Sequence, residues 1–112
     1  MRWFAALLCL GVAGCATSDP PIPTPDPPNA VTLAQIAVAV AGEYKLTAPE
    51  VGPVRAAHPL APGDWVACLK SGAADQRLRV AMFFKKTYIQ SRIAIAADGC
   101  AGDTYAAVVP PK

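Results

Sequence analysis

Twelve prolines fence this 112-residue chain. Six stand between Pro20 and Pro28, four between Pro49 and Pro62, and two at Pro110-Pro111. Proline fixes φ and donates no backbone hydrogen bond, so helix interiors and central strands avoid it. Regular structure is therefore confined to two stretches, 29–48 and 63–109. Residues 16–28 read as an extended polyproline tether, able to hold a domain about 40 Å from its point of attachment at ~3.1 Å per residue.

The first stretch reads as a helix. Thr32 and Gln35 have the spacing of a capping box. Leu33, Ile36, Ala37, Val40, Ala41 and Tyr44 follow at helical intervals as one apolar stripe. Pro49 disfavours helical geometry just before it, so the helix should stop near Leu46. Between Pro49 and Pro62 only an edge strand around Val51 to Ala57 is expected, and His58 reads as a loop histidine. Pro62-Gly63-Asp64 marks a turn.

Three strands should follow, 64–70, 77–84 and 87–96, with residues 105–109 as the candidate for a short fourth. Leu78, Val80, Met82 and Phe84 alternate on one face of the second, and Ile89, Ile93 and Ile95 on one face of the third. With Lys85-Lys86 at the turn, Leu78 would face Ile93 and Met82 would face Ile89. Trp65 would either anchor the core against Met82 or form a surface patch. The expected class is α+β: one N-terminal helix packed on a small antiparallel sheet of three to four strands.

The register has an electrostatic consequence. Arg77, Arg79, Lys85, Lys86 and Arg92 lie between Gln76 and Ala97 without an acidic residue. Arg79 and Arg92 would stand opposite each other on the outer face, beside Phe83 and Tyr88. Such a face either contacts an anionic partner or is a solvated surface whose cations discourage edge pairing.

The N-terminus carries Arg2, an apolar run from Trp3 to Leu10, and then Val12-Ala13-Gly14-Cys15. The apolar run is too short to span a bilayer, which takes ~20 residues. The order resembles the bacterial lipoprotein signal, a branched aliphatic residue, two small residues and cysteine. That resemblance implies cleavage before Cys15, acylation of Cys15, and a location in the cell envelope, anchored in the outer membrane and facing the periplasm. The chain then divides into a signal (1–14), a lipidated cysteine and tether (15–28), one domain (29–109) and a tail (110–112). Gly63-Asp64-Trp65 with Cys68, and the later Asp98-Gly99-Cys100, also resemble small lipoproteins of alphaproteobacteria, which brings no activity with it.

Removing the signal takes Cys9, and lipid would consume Cys15, leaving Cys68 and Cys100. An even pair in an oxidising compartment reads as a disulfide. A metal site is short of ligands, since His58 is the single histidine and no cysteine pair has short spacing. The chain has ten Lys and Arg, one of them Arg2 in the signal, against eight Asp and Glu. That near-neutral balance gives no footprint for nucleic acid. There is no nucleophile elbow, phosphate loop or spaced ligand set. The expectation is a non-catalytic module without cofactor, binding an envelope protein or an anionic glycan or lipid. The alternative is a ligand-binding lipoprotein resembling lysozyme inhibitors, whose Ser-Gly loop has an echo in Ser71-Gly72-Ala73.

Overall fold

Helix α1 spans Ala30–Glu43 and starts before the Thr32 capping box, because Asn29 is the N-cap. Its side-chain Oδ1 accepts the Thr32 N–H at 2.8 Å. Asparagine caps well because its short side chain reaches an N–H that the first turn leaves unpaired. The other end closes as a Schellman motif. Lys45 donates to Gly42 O at 3.3 Å and Leu46 to Ala41 O at 2.8 Å. Lys45 takes a φ of 57°, left-handed backbone usually given to glycine.

The computed structural model describes residues 24–73 and 77–110. The signal, Cys15, the first part of the tether and the last two residues lie outside them. After α1 come β1 (Glu50–Val51), β2 (Arg55–Ala56), β3 (Trp65–Lys70), β4 (Arg79–Phe84), β5 (Tyr88–Ile93) and β6 (Ala106–Ala107). All pairings are antiparallel, in the order β5-β4-β3-β1-β6, with β2 also against β3. The fold is α+β, with six strands rather than three or four.

One face of the sheet carries Ala67, Leu69, Val80, Met82 and Phe84, and α1 covers it with Ala37, Val40 and Ala41. The opposite face carries Val66, Cys68, Ala81 and Phe83, packed against Cys100, Tyr105 and alanines of two loops. β3 and β4 are therefore buried on both faces. The expectation of one solvated face fails here, because a loop covers it.

Pro53 interrupts what would be one strand beside β3. Val51 faces Leu69, yet Arg55 faces Val66, so the 50–56 stretch holds one residue more than β3 between those rungs. A bulge re-aims the side chains beyond it. Here it puts Arg55 on the loop-covered face.

The hairpin also departs from the expected register. Val80 faces Ile93, Ala81 faces Arg92 and Met82 faces Ser91, a shift of two residues from the pairing of Leu78 with Ile93. Lys85, Lys86 and Thr87 form a three-residue connection, and Ile89 is the extra residue of a bulge beside Phe83/Phe84. An even shift keeps the Ile93 side chain on the helix-covered side but slides it past α1. Ile89, Ile93 and Ile95 are consequently 42, 59 and 55 % exposed, not core. Tyr88 meets Phe84 edge-on at 5.7 Å instead of sharing a face with Phe83. Trp65 faces Phe84 and packs at the margin of the helix-side core, while its indole N–H donates to Pro25 O at 2.8 Å.

Replacing Lys45 by glycine should relieve the left-handed strain and raise stability by about 0.5–1 kcal/mol. Urea unfolding of the two chains at neutral pH measures it; an unchanged or lower midpoint refutes the strain.

Candidate functional site

The loop-covered face gathers most of the charge that is withdrawn from water. After β5 the chain crosses this face through two short 3-10 turns, Ala96–Asp98 and Cys100–Gly102. Gly99 between them has a φ of 72°, which only glycine adopts without strain, and a Cβ there would crowd the Arg55 guanidinium. The reversal places Cys100 against β3, where it is disulfide-bonded to Cys68 with Cα atoms 5.5 Å apart.

Two arginines grip the crossing segment. Arg55 donates from Nε and Nη2 to the two carboxylate oxygens of Asp103, both at 2.9 Å. The same Nη2 reaches Asp98 O at 2.7 Å and lies 3.3 Å from Cys68 Sγ. Gly52 makes room for this pair, since a Cβ there would come within 3.0 Å of Asp103 Oδ2. Arg92 binds Asp98 through Nη2 at 2.8 Å and Nε at 3.3 Å, and its guanidinium lies 4.8 Å from the centre of the Phe83 ring. Asp98 is 2 % exposed and also accepts the Ile95 N–H at 3.0 Å.

Burial pushes the Asp98 carboxyl up, but the Arg92 hydrogen bonds, the Ile95 N–H and the Arg92 and Arg55 charges together hold it below the ordinary aspartate value. The hydrogen bond to Asp103, outweighing burial, raises Arg55, and Asp98 does the same for Arg92. Tyr105 donates its hydroxyl to Cys100 O at 2.7 Å, and burial, then the Asp103 charge, pushes the phenol up. Lys70 and Arg79, directly opposite on β3 and β4, both lie over the Tyr105 ring, at 5.3 and 5.6 Å. Glu50 neutralises Lys70 at 2.8 Å.

The five cations singled out from the sequence are thus not one surface. Arg79 faces Lys70, not Arg92, and stacks on Tyr105; Arg92 is tied down by Asp98. Arg77, Lys85 and Lys86 are exposed, with Arg77 at one end of the hairpin and the lysines at its tip, about 25 Å apart along an extended strand. Arg55, Asp98, Asp103 and Tyr105 did not stand out in the sequence. Asp98 figured in the Asp98-Gly99-Cys100 resemblance, and nothing there signals that the aspartate is buried.

Chemically this assembly is a clamp. Each carboxylate is bound through both oxygens to a guanidinium group. Among the described residues no three metal-ligating side chains converge. Ser71 is fully buried, giving its hydroxyl to Thr47 O at 2.7 Å and accepting the Thr47 N–H at 3.1 Å, so it ties two loops together rather than presenting an inhibitory loop. His58 is exposed, and its Nδ1 accepts the Leu60 N–H. No family model, curated protein or solved structure matches the chain.

Truncating Arg92 to alanine should cost about 2–3 kcal/mol, because it strands a buried carboxylate; the partial exposure of Arg92 keeps the loss below that of a fully buried pair. Lysine should recover only part, lacking the fork. Chemical denaturation of the two variants measures this, and a loss under about 0.5 kcal/mol for Arg92→Ala sinks the clamp.

The depressed Asp98 carboxyl gives a second prediction. Its contribution is fully present above the unfolded aspartate value near 4 and is lost as pH falls through the lower folded value. Denaturation midpoints should fall as pH drops below about 4, and the Asp98→Asn chain, less stable at pH 7, should show a shallower fall. Parallel pH profiles of the two would refute it.

Proposed function

We propose that this chain is a lipid-anchored module of the bacterial envelope that holds or assists another envelope component without catalysing a reaction. The observation that carries the reading is the Cys68–Cys100 disulfide at the centre of the clamped face. Structural disulfides belong to oxidising compartments, and Val12-Ala13-Gly14-Cys15 gives a route to one. Multiple acyl chains at Cys15 would hold the protein stably, whereas a single chain binds marginally. No helix among the described residues is long and apolar enough to cross a membrane.

The domain has the build of a binding scaffold. Its polar groups on the covered face serve the fold, and the β5 edge and the hairpin tip are open. Arg77, Lys85 and Lys86 are the members of the predicted cationic set still open to an anionic glycan, lipid or protein partner. Arg79 and Arg92 are occupied in the fold, so charge reversal there would report on stability rather than on a partner.

The N-terminus of the protein purified from membranes tests the anchor. Intact-mass and peptide analysis should find the chain beginning at Cys15 with acyl chains attached, and Cys15→Ser should abolish both lipid and membrane retention. A mature protein that starts elsewhere, or retention unaffected by Cys15→Ser, overturns the reading. Affinity capture from solubilised envelopes then identifies what the module holds.

A further inference from the structure

β5 ends the sheet, and nothing among the described residues pairs with its outer side. Ala94 donates its N–H to Arg79 O at 2.9 Å, so Ala94, Arg92 and Gln90 turn their backbone groups toward β4. Ser91 and Ile93, between them, turn theirs outward. A row of unpaired donors and acceptors on a six-residue strand is a template for another strand.

The usual protections are weak here. β5 contains no proline, and its bulge lies at the Tyr88 end, leaving 90–93 in regular register. Its one cation, Arg92, is drawn over Phe83 onto Asp98. The lysines sit beyond the strand at the tip. What remains at the edge is apolar: Ile89, Ile93 and Ile95, roughly half exposed.

We propose that β5 pairs antiparallel with β5 of a second copy of this chain, about a two-fold axis through Ser91. The segment Ile89-Gln90-Ser91-Arg92-Ile93 has the same apolar–polar order from either end. Ser91 stands opposite itself with its backbone groups already directed outward. Ile93 of each copy falls opposite Ile89 of the other, covering side chains that α1 does not reach. Arg92 falls opposite Gln90, an uncharged hydrogen-bonding partner, whereas a register centred on Arg92 would set two cations face to face. No rung within β5 places like charges together, so its apolar pattern can pair with itself without charge repulsion. The two helices lie on the same side of the continuous sheet, as the axis perpendicular to it requires.

Sedimentation equilibrium of the full chain in a density-matched detergent tests this. The expected result is a reversible dimer, weakened at least tenfold by Ile93→Lys and by Ser91→Pro. Proline at 91 removes only an outward N–H, and near-UV circular dichroism of Trp65 checks that each variant is folded. As a measurement independent of those variants, Ser91→Cys should form a symmetric intermolecular disulfide, while Gln90→Cys should not. A chain that stays monomeric at about 100 μM overturns the proposal and leaves β5 to a different partner. So does a dimer whose affinity the folded variants leave unchanged, or one in which Gln90→Cys cross-links as readily as Ser91→Cys.

Discussion

Closure of the second face of the sheet is the constraint on which the other features depend. β3 and β4 place apolar side chains on both faces, so two covers are needed, and the described residues supply one α-helix. The second cover is the crossing from Ala94 to Tyr105, built from alanines and glycines with little apolar area to bury. Hydrophobic burial scales with that area, so small residues alone hold such a cover poorly. The disulfide, two arginine–aspartate pairs and the Tyr105 stack supply the missing attachment. For a loop of this length the chain-entropy model assigns the disulfide about 3–4 kcal/mol. For a domain of this size that is a large share of the net stability.

The clamp fixes what the cations are for. A guanidinium sharing a carboxylate's two oxygens has little left to offer a ligand, and partly desolvated pairs are retained for geometry more than for net stability. The bulge at Pro53 belongs to the same arrangement. Without the extra residue, Arg55 would point at the helix, into an apolar core with no carboxylate to receive it. One proline in an irregular stretch thus determines whether Asp103 finds its partner, and Gly52 leaves the space in which they meet.

How much of this was legible follows from range. α1 was readable because its stripe is local, although its cap was misplaced: Asn29 precedes Thr32 and competes for the same first turn. β3 and β4 were readable as strands. Their unbroken runs Val66-Ala67-Cys68-Leu69 and Val80-Ala81-Met82-Phe83-Phe84 also carried the sign of burial on both faces, which alternation alone conceals. The hairpin register was not legible, because a three-residue loop with a bulge and a two-residue turn predict equally consistent faces. The two-residue shift between them moved three isoleucines from the core to the edge. The Arg92–Asp98 pair was hidden for a related reason: it joins a strand to a turn six residues on, and only the folded crossing brings them onto one face.

The docking of the tether narrows how the domain can be held. Trp65 caps Pro25, and clefts of about 530 and 460 Å³ flank Thr24, lined among others by Lys86 and Thr87 on one side and His58 and Lys85 on the other. Thr24, the first described residue, therefore lies beside the hairpin tip. Nine residues from Cys15 to Pro23 reach at most about 30 Å when fully extended, less than the roughly 40 Å of a tether running to Pro28. The free edge of β5 starts at the same tip and runs away from it, with Ile89 near the tip and Ile93 and Ile95 toward the far end. If Cys15 carries the proposed anchor, attachment would be at the hairpin-tip end of the domain, and the far end of β5 would stay open to a strand.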